Sequence, residues 1–281
     1  MGASEKALKL RIKSVRSTEH ITRAMQLVAS SKLRRATERM EQSRAYFIAM
    51  HNVFSDLASC AGPDAPKEFF EKRDKGKVCL IAIAGDRGLA GGYNNNVFNM
   101  ARGLAPRENT AVLPIGKKAH EYFAKKKYEL IGDLTPIEGL TMDVCAEIGR
   151  KAAEGYKNGE FSSVYLIYTS FTNMLSQNTA SFQLLPLAPQ VEKKKTNGYV
   201  LYEPSPAAVF KALIPEYISG IVYCGICESF ASEQASRRNA MDNATKNADE
   251  MIEKLGLQYN RARQGAITQE ITEIVAGSEQ S

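Results

Sequence analysis

Two short stretches hold residues of the kind that do chemistry. The first, "IAIAGDRGLAGGYN" at 81–94, breaks an apolar run into a turn with Gly85, Gly88, Gly91 and Gly92 before a helix-like segment. Strand, glycine turn and helix form the frame on which many proteins hold a phosphate, with backbone N–H groups as ligands. The spacing here argues against that use. A Walker-type loop ends in Gly-Lys-Ser/Thr, whereas this turn ends in Tyr93-Asn94-Asn95-Asn96. A dinucleotide fingerprint needs G-x-G-x-x-G, and no G-x-G occurs in the stretch. Glu108, the candidate ribose partner, follows Pro106 in a loop. Glycines also serve tight turns with no ligand present, so the turn reads as architecture.

The second stretch is "IVYCGICESF", with Cys224 and Cys227 as a C-x-x-C. A zinc site needs two more soft ligands at suitable spacing, and none stands nearby in sequence. A redox motif belongs next to a βαβ pattern, whereas this segment reads as helix, so two packed helical thiols are expected. His20, His51 and His120 are far apart, and no Ser-His-acid, paired-carboxylate or metal-ligand spacing stands out. The expectation is a chain without catalytic residues, cofactor or metal of its own.

The composition sets the frame for those residues. The 281 residues are 44% hydrophobic and 24% charged, which describes a globular chain. No uninterrupted apolar run approaches the roughly 18–20 residues that span a bilayer, and the start has no apolar core of a secretory signal. Five cysteines, an odd number, argue against a disulfide scaffold. The net charge of +6 is concentrated: residues 1–45 hold 11 Lys or Arg against 4 Asp or Glu. A basic arm asks for an acidic partner, nucleic acid being one candidate.

All ten prolines lie between Pro63 and Pro215, so two long proline-free arms flank a proline-bearing middle. The first arm repeats every seven residues. One column is Leu8, Val15, Thr22, Ala29, Ala36, Ser43, Met50 and Leu57; a second is Ile12, Glu19, Gln26, Leu33, Met40, Phe47 and Phe54. This is a coiled-coil seam, polar around Glu19, Thr22 and Gln26 and narrow at its alanines. The last arm has a matching seam at Ala248, Ile252, Leu255, Tyr259, Ala262 and Ala266, continued upstream by Phe210, Leu213 and Tyr217. Neither arm holds enough large apolar residues for a core alone, so the two are expected to pair antiparallel. A single helix over 207–278 would be about 110 Å long.

The middle reads as α/β, with strands at 77–84, 110–116 and 162–171 and helices at 94–104, 117–128 and 141–157. "ASFQLLPL" and "GYVLYEP" (198–204) read as further strands around the charged turn "VEKKKTNG". Strands alternating with helices predict a small, mostly parallel sheet. The domain reading is an N-terminal helix over 1–60, an α/β domain over 75–204, and a C-terminal helix over 207–279 paired with 1–60.

"ITRAMQLVASSKLRRA" (21–36), "GDRGLAGGYN" (85–94), "LYEP" (201–204) and "YNRARQGAITQEITEIVAG" (259–277) together resemble the γ subunits of F-type ATP synthases. The resemblance implies a central-stalk rotor that couples ion-driven rotation to ATP synthesis or hydrolysis. The fold would be a long antiparallel coiled coil with a small Rossmann-like α/β domain, and no nucleotide would bind at the glycine turn. The implied partners are three α and three β subunits, an ε subunit and a ring of c subunits. Membrane association would come only through that complex, at the cytoplasmic face of a bacterial plasma membrane or the matrix side of an organellar inner membrane.

Residue by residue, the resemblance places Met25 near an acidic β loop, faced also by Arg23, Lys32, Arg34 and Arg35. It gives Arg263, Gln264, Thr268 and Glu270 hydrogen bonds to catalytic-subunit loops, and adds Arg237 on the same helix. Tyr202 and Glu203 would meet the c-ring. Gly256 and Gly265 depart from the family pattern, each costing about 0.8–1 kcal/mol of helix propensity against Ala; "CGIC" departs too. Two other readings use the same residues: a nucleic-acid-binding coiled coil on the basic arm, and a nucleotide-binding enzyme on the glycine turn.

Overall fold

A computed structural model describes residues 3–61, 66–133, 135–187 and 202–278. They fall into two compact units: Met1–Ser30 with Arg237–Ser281, and Ser31–Ser236. Helix α1 spans Ala3–Ala61, a stretch with neither proline nor glycine. Helix α5 spans Pro206–Ser278 and contains Pro215 in its third turn. The proline leaves the helix unbroken, and the Ser219 hydroxyl donates to the Pro215 carbonyl at 2.6 Å.

In the first unit the seam columns are the faces that meet. Thr22, Ala29, Met241, Ala248 and Leu255 are buried, and the polar positions pair across the seam. The Thr22 and Thr245 hydroxyls lie 2.7 Å apart, Gln26 Nε2 donates to Asp242 at 2.9 Å, and the Tyr259 hydroxyl lies 3.1 Å from Glu5. Partners climb along one helix as they descend along the other, so the pair is antiparallel.

The second unit is built on a five-stranded sheet of order β3-β2-β1-β4-β5. Strands β1 (Lys77–Ile83), β2 (Thr110–Ile115), β3 (Glu129–Leu130) and β4 (Phe161–Phe171) are parallel, and β5 (Gln177–Leu185) joins antiparallel to β4. Helices α2 (Tyr93–Leu104), α3 (Lys117–Lys125) and α4 (Met142–Lys157) make the crossovers. Strand β1 is apolar on both faces because both are covered. Leu80, Ala82 and Ala84 pack on Val97, Phe98 and Phe123 of α2 and α3. Cys79, Ile81 and Ile83 face α4, Phe54 and Leu57 of α1, and Phe210 to Ile226 of α5. In this unit α1 and α5 continue the seam with Leu33, Ala36 and Met40 against Cys227, Ala231 and Ala235.

The structure departs from the sequence reading at several points. Helix α3 stops at Lys125, not 128, because Lys127 is left-handed (φ 58°) and the N–H groups of Lys126, Lys127 and Tyr128 turn back to the last carbonyls. The two-residue β3 is too short to leave a periodic signal. Of the expected strand over 198–204, residues 198–201 and the turn before them lie outside the described residues, and 202–204 are irregular. Helix α5 also holds an 18-residue window of mean hydropathy 1.3, apolar enough by composition to cross a membrane; 56% of it is buried within the fold. That window escapes a search for unbroken apolar runs because small and polar residues interrupt it.

Candidate functional site

The carboxyl ends of β1 and β4 meet where the strand order reverses, the usual place for a ligand in an open α/β sheet. Here the protein's own groups fill that place. The Asp86 carboxylate, from the glycine turn, accepts from the backbone N–H of Lys117, Ile137 and Glu138 at 3.0–3.2 Å. It thus sits at the N-terminus of α3, where the helix dipole and free N–H groups favour an anion. Asn94 accepts from the Gly85 N–H at 2.9 Å. From α5, Ser229 accepts from the Thr169 N–H at 3.0 Å and Ser232 donates to the Thr169 carbonyl at 3.1 Å. The Glu233 carboxylate lies so close to Gly85 that a Cβ there would stand 2.5 Å from its Oε1. A side chain at Gly85 would displace the end of the Glu233 side chain, while Gly91, with φ 56°, is needed for the turn itself.

The cysteines make no bridge: all five are free thiols. Burial pushes the Cys145 and Cys224 thiols up to about 12, with neighbouring cysteines adding to the effect and the bond from Cys224 to the Ser43 carbonyl opposing it. Both are neutral thiols at physiological pH, poor nucleophiles and poor metal ligands. Among the described residues no group of three or more His, Cys, Asp or Glu is placed to hold a metal ion.

The surface residues are more informative. In the first unit Arg23 is exposed, 2.8 Å from Glu19 and 3.8 Å from Asp249, and Met25 is half-buried beside it. Arg237 is buried at 8% exposure, so it presents little surface to a partner. Arg263, Gln264 and Thr268 are exposed on α5, with the Thr268 hydroxyl donating to the Gln264 carbonyl at 2.9 Å. The Glu270 side chain lies outside the described residues. Around these polar groups large apolar side chains face outward: Leu257, Ile267, Ile271, Ile274 and Val275 on α5, and Leu10, Ile21, Leu27 and Val28 on α1. Lys6, Lys9, Lys13 and Arg16 share a groove of α1 with Leu10 and Tyr259.

In the second unit Lys32 is paired with Glu138, while Arg34 and Arg35 are exposed. Arg39, which the sequence did not single out, donates to the Tyr223 hydroxyl at 3.0 Å and the Leu140 carbonyl at 2.8 Å. With Lys32, Arg35, Glu138 and Phe230 it lines a cavity of about 210 Å³. Tyr202 is half-buried against the core, its phenol raised first by burial and then by Cys60 and Asp56; Glu203 is exposed. Asp86 and Glu233 were also missed. Only Asp86 left a trace, as the one carboxylate inside the glycine turn.

The chain matches the ATP synthase family over residues 4–280. It is 46% identical over 282 residues to the ATP synthase gamma chain of Ruminococcus albus, covering 98% of both chains. It is 40% identical over 300 residues to the sodium ion specific ATP synthase gamma chain of Acetobacterium woodii, covering 99% of both. Among solved structures it resembles a chain of the central stalk and c-ring of Tetrahymena thermophila mitochondrial ATP synthase, with a TM-score of 0.63 and 26% identity. That match covers 80% of this chain and 99% of the other. A chain of the Euglena gracilis mitochondrial ATP synthase shares the fold, with a TM-score of 0.67 at 16% identity over 98% and 94% of the two chains. Paired terminal helices, an inserted parallel sheet and full-length identity to named relatives agree: the chain belongs to the ATP synthase gamma-chain family.

Proposed function

We propose that the chain is the central-stalk rotor subunit of an F-type ATP synthase, carrying ion-driven rotation to catalytic sites that it does not itself contain. One observation carries the reading. The first unit buries a narrow seam of mostly small and polar residues and leaves most of its large aliphatic side chains facing out, some beside cations. Exposed apolar surface of that extent marks a contact surface, and a contact made of scattered aliphatic and polar groups can re-form as the subunit turns. An asymmetric shaft within three similar catalytic subunits touches each differently, and differential contact is what shifts each one's equilibrium between conformations.

In this reading 1–60 and 207–279 act as the shaft and 75–204 as the α/β domain. Arg23, Met25, Lys32, Arg34 and Arg35 face acidic loops of the catalytic subunits. Arg263, Gln264, Thr268 and Glu270 bond to loops farther along α5, while buried Arg237 holds the helix that presents them. Tyr202 and Glu203 meet the c-ring, and an ε subunit binds the same stalk. Membrane attachment is through the complex, at the cytoplasmic face of a bacterial plasma membrane.

Co-purification tests this directly. A tag on this chain should recover an assembly with three copies each of two larger nucleotide-binding subunits. Recovery of a homodimer or of nucleic acid in their place would refute the proposal.

A further inference from the structure

The parallel strands of the second unit begin at one end of the sheet. Lys77 pairs in register with Phe161, Val78 with Thr110, and Ala111 with Glu129, so the segments leading into β1, β2, β3 and β4 gather there. Over 71–77, 102–109, 125–129 and 154–160 they carry ten Lys or Arg against six Asp or Glu. Two of the acids are engaged locally, Glu129 with Lys77 and Glu108 with Arg107. The excess is sharpest at the α2–α3 side. There Arg102 bonds only to the neutral Asn99 among the described partners, and Lys125, Lys126 and Lys127 are exposed in sequence. Burial, then Tyr122, raises the Tyr128 phenol, while the positive charges of Arg102 and Arg107 pull against it.

The same surface has no apolar anchor. The large exposed apolar side chains of the described residues lie elsewhere, on α1, α5, the glycine turn and the β4–β5 hairpin. Specific protein interfaces are depleted in lysine and built around aromatic or aliphatic anchors. A set of exposed lysines without an apolar anchor fits instead a partner that is negative, diffuse and without fixed register. An anionic bilayer surface is such a partner, because each lysine near it adds an increment of attraction without needing a matched acceptor.

We propose that the strand-entry end of this sheet, centred on Arg102, Arg107, Lys125, Lys126 and Lys127, rests electrostatically on anionic lipid headgroups. The inference stands apart from the rotor reading, since it concerns a surface to which no shaft or c-ring contact is assigned. It adds a direct lipid contact to an attachment otherwise made through other subunits.

The test is sedimentation of the full-length chain with vesicles of phosphatidylcholine alone or mixed with phosphatidylglycerol. Binding is expected only to the mixed vesicles and should vanish near 1 M salt, where the Debye length is about 3 Å. At about fivefold per lysine, Lys125→Gln/Lys126→Gln/Lys127→Gln should weaken binding about a hundredfold, and the corresponding triple Arg variant should retain it. Because α1 is also basic, Lys6→Gln/Lys9→Gln/Lys13→Gln serves as the comparison and should change binding by less than about fivefold. The three α3-end lysines are exposed, so the Gln variant should unfold at the wild-type temperature. Equal binding to both vesicle types would overturn the proposal and leave the patch to an acidic protein. Loss in the α1 variant with retention in the Lys125–Lys127 variant would overturn it as well.

Discussion

At the scale of single residues the structure separates groups that hold the fold from groups free to act on a partner. Asp86 belongs to the first kind. Its carboxylate serves one backbone N–H at the start of α3 and two more, of Ile137 and Glu138, in the segment before α4, so Asp86→Ala should lower stability by about 0.5–2 kcal/mol, the range for a lost helix cap. Chemical denaturation of the isolated chain measures it. Arg263 belongs to the second kind. Arg263→Ala should leave stability within about 0.5 kcal/mol of wild type. In the assembled complex, losing the proposed hydrogen bond of this charged group, about 1.5–3 kcal/mol, should slow ATP turnover by about ten- to a hundredfold; unchanged turnover in Arg263→Ala/Gln264→Ala would remove both residues from the mechanism. Thiol reactivity gives a third check. Cys60 is exposed and should alkylate quickly, while Cys224, raised to about 12 by burial, should stay slow from pH 7 to 9.

At the scale of elements the glycines divide by their surroundings. A Cβ on Gly116 would lie 1.9 Å from the Ala84 carbonyl oxygen, and its φ of 94° strains any L side chain. Gly116→Ala should therefore cost at least about 2–3 kcal/mol and loosen the β2–α3 junction. Gly256 and Gly265 have open space around them in α5. Replacing each with Ala should stabilise the helix by about 0.8–1 kcal/mol, read as a higher helix-pair melting temperature. The seam also carries a pH dependence. The bond from Lys246, then that from Gln26, holds the Asp242 carboxyl below its ordinary 3.8. A depressed carboxyl contributes its stabilisation above the unfolded value and loses it as pH falls through the folded one. Circular dichroism should show the pair weakening below about pH 4, and Asp242→Asn should flatten that limb.

For the whole molecule the central expectation is that the two terminal helices turn as one body inside a larger assembly. A disulfide between them through Gln26→Cys/Asp242→Cys joins positions already in hydrogen-bond contact. It should leave ATP turnover of the reconstituted complex within about twofold of wild type, since a change under about 0.5 kcal/mol is expected where no mobile contact is crossed. A block on oxidation, relieved by reductant, would mean that the helices move against each other during the cycle. The isolated chain should also show no stoichiometric ATP site by calorimetry, because Glu233, Ser229 and Ser232 of α5 occupy the crevice where a nucleotide would lie.

Local and periodic features of this protein were legible in the amino-acid order. A seven-residue repeat can be satisfied only by a helix with one buried stripe, so Thr22, Ala29, Leu33, Ala36 and Met40 declare the seam before any partner is known. The apolar run at 77–84 declares a strand covered on both faces. The missing Gly-Lys-Ser/Thr declares that the turn lacks the chemistry of a phosphate loop. Tertiary structure alone decided what fills the crevice in its place. Asp86 reaches amides 31 and 51 residues away, and Glu233 closes on Gly85 from the far arm of the chain. It also gathered the lysines and arginines of four separate segments at one end of the sheet and buried Arg237 instead of exposing it. Those outcomes depend on which distant backbones approach within a hydrogen bond's length, and no periodicity within one segment encodes that distance.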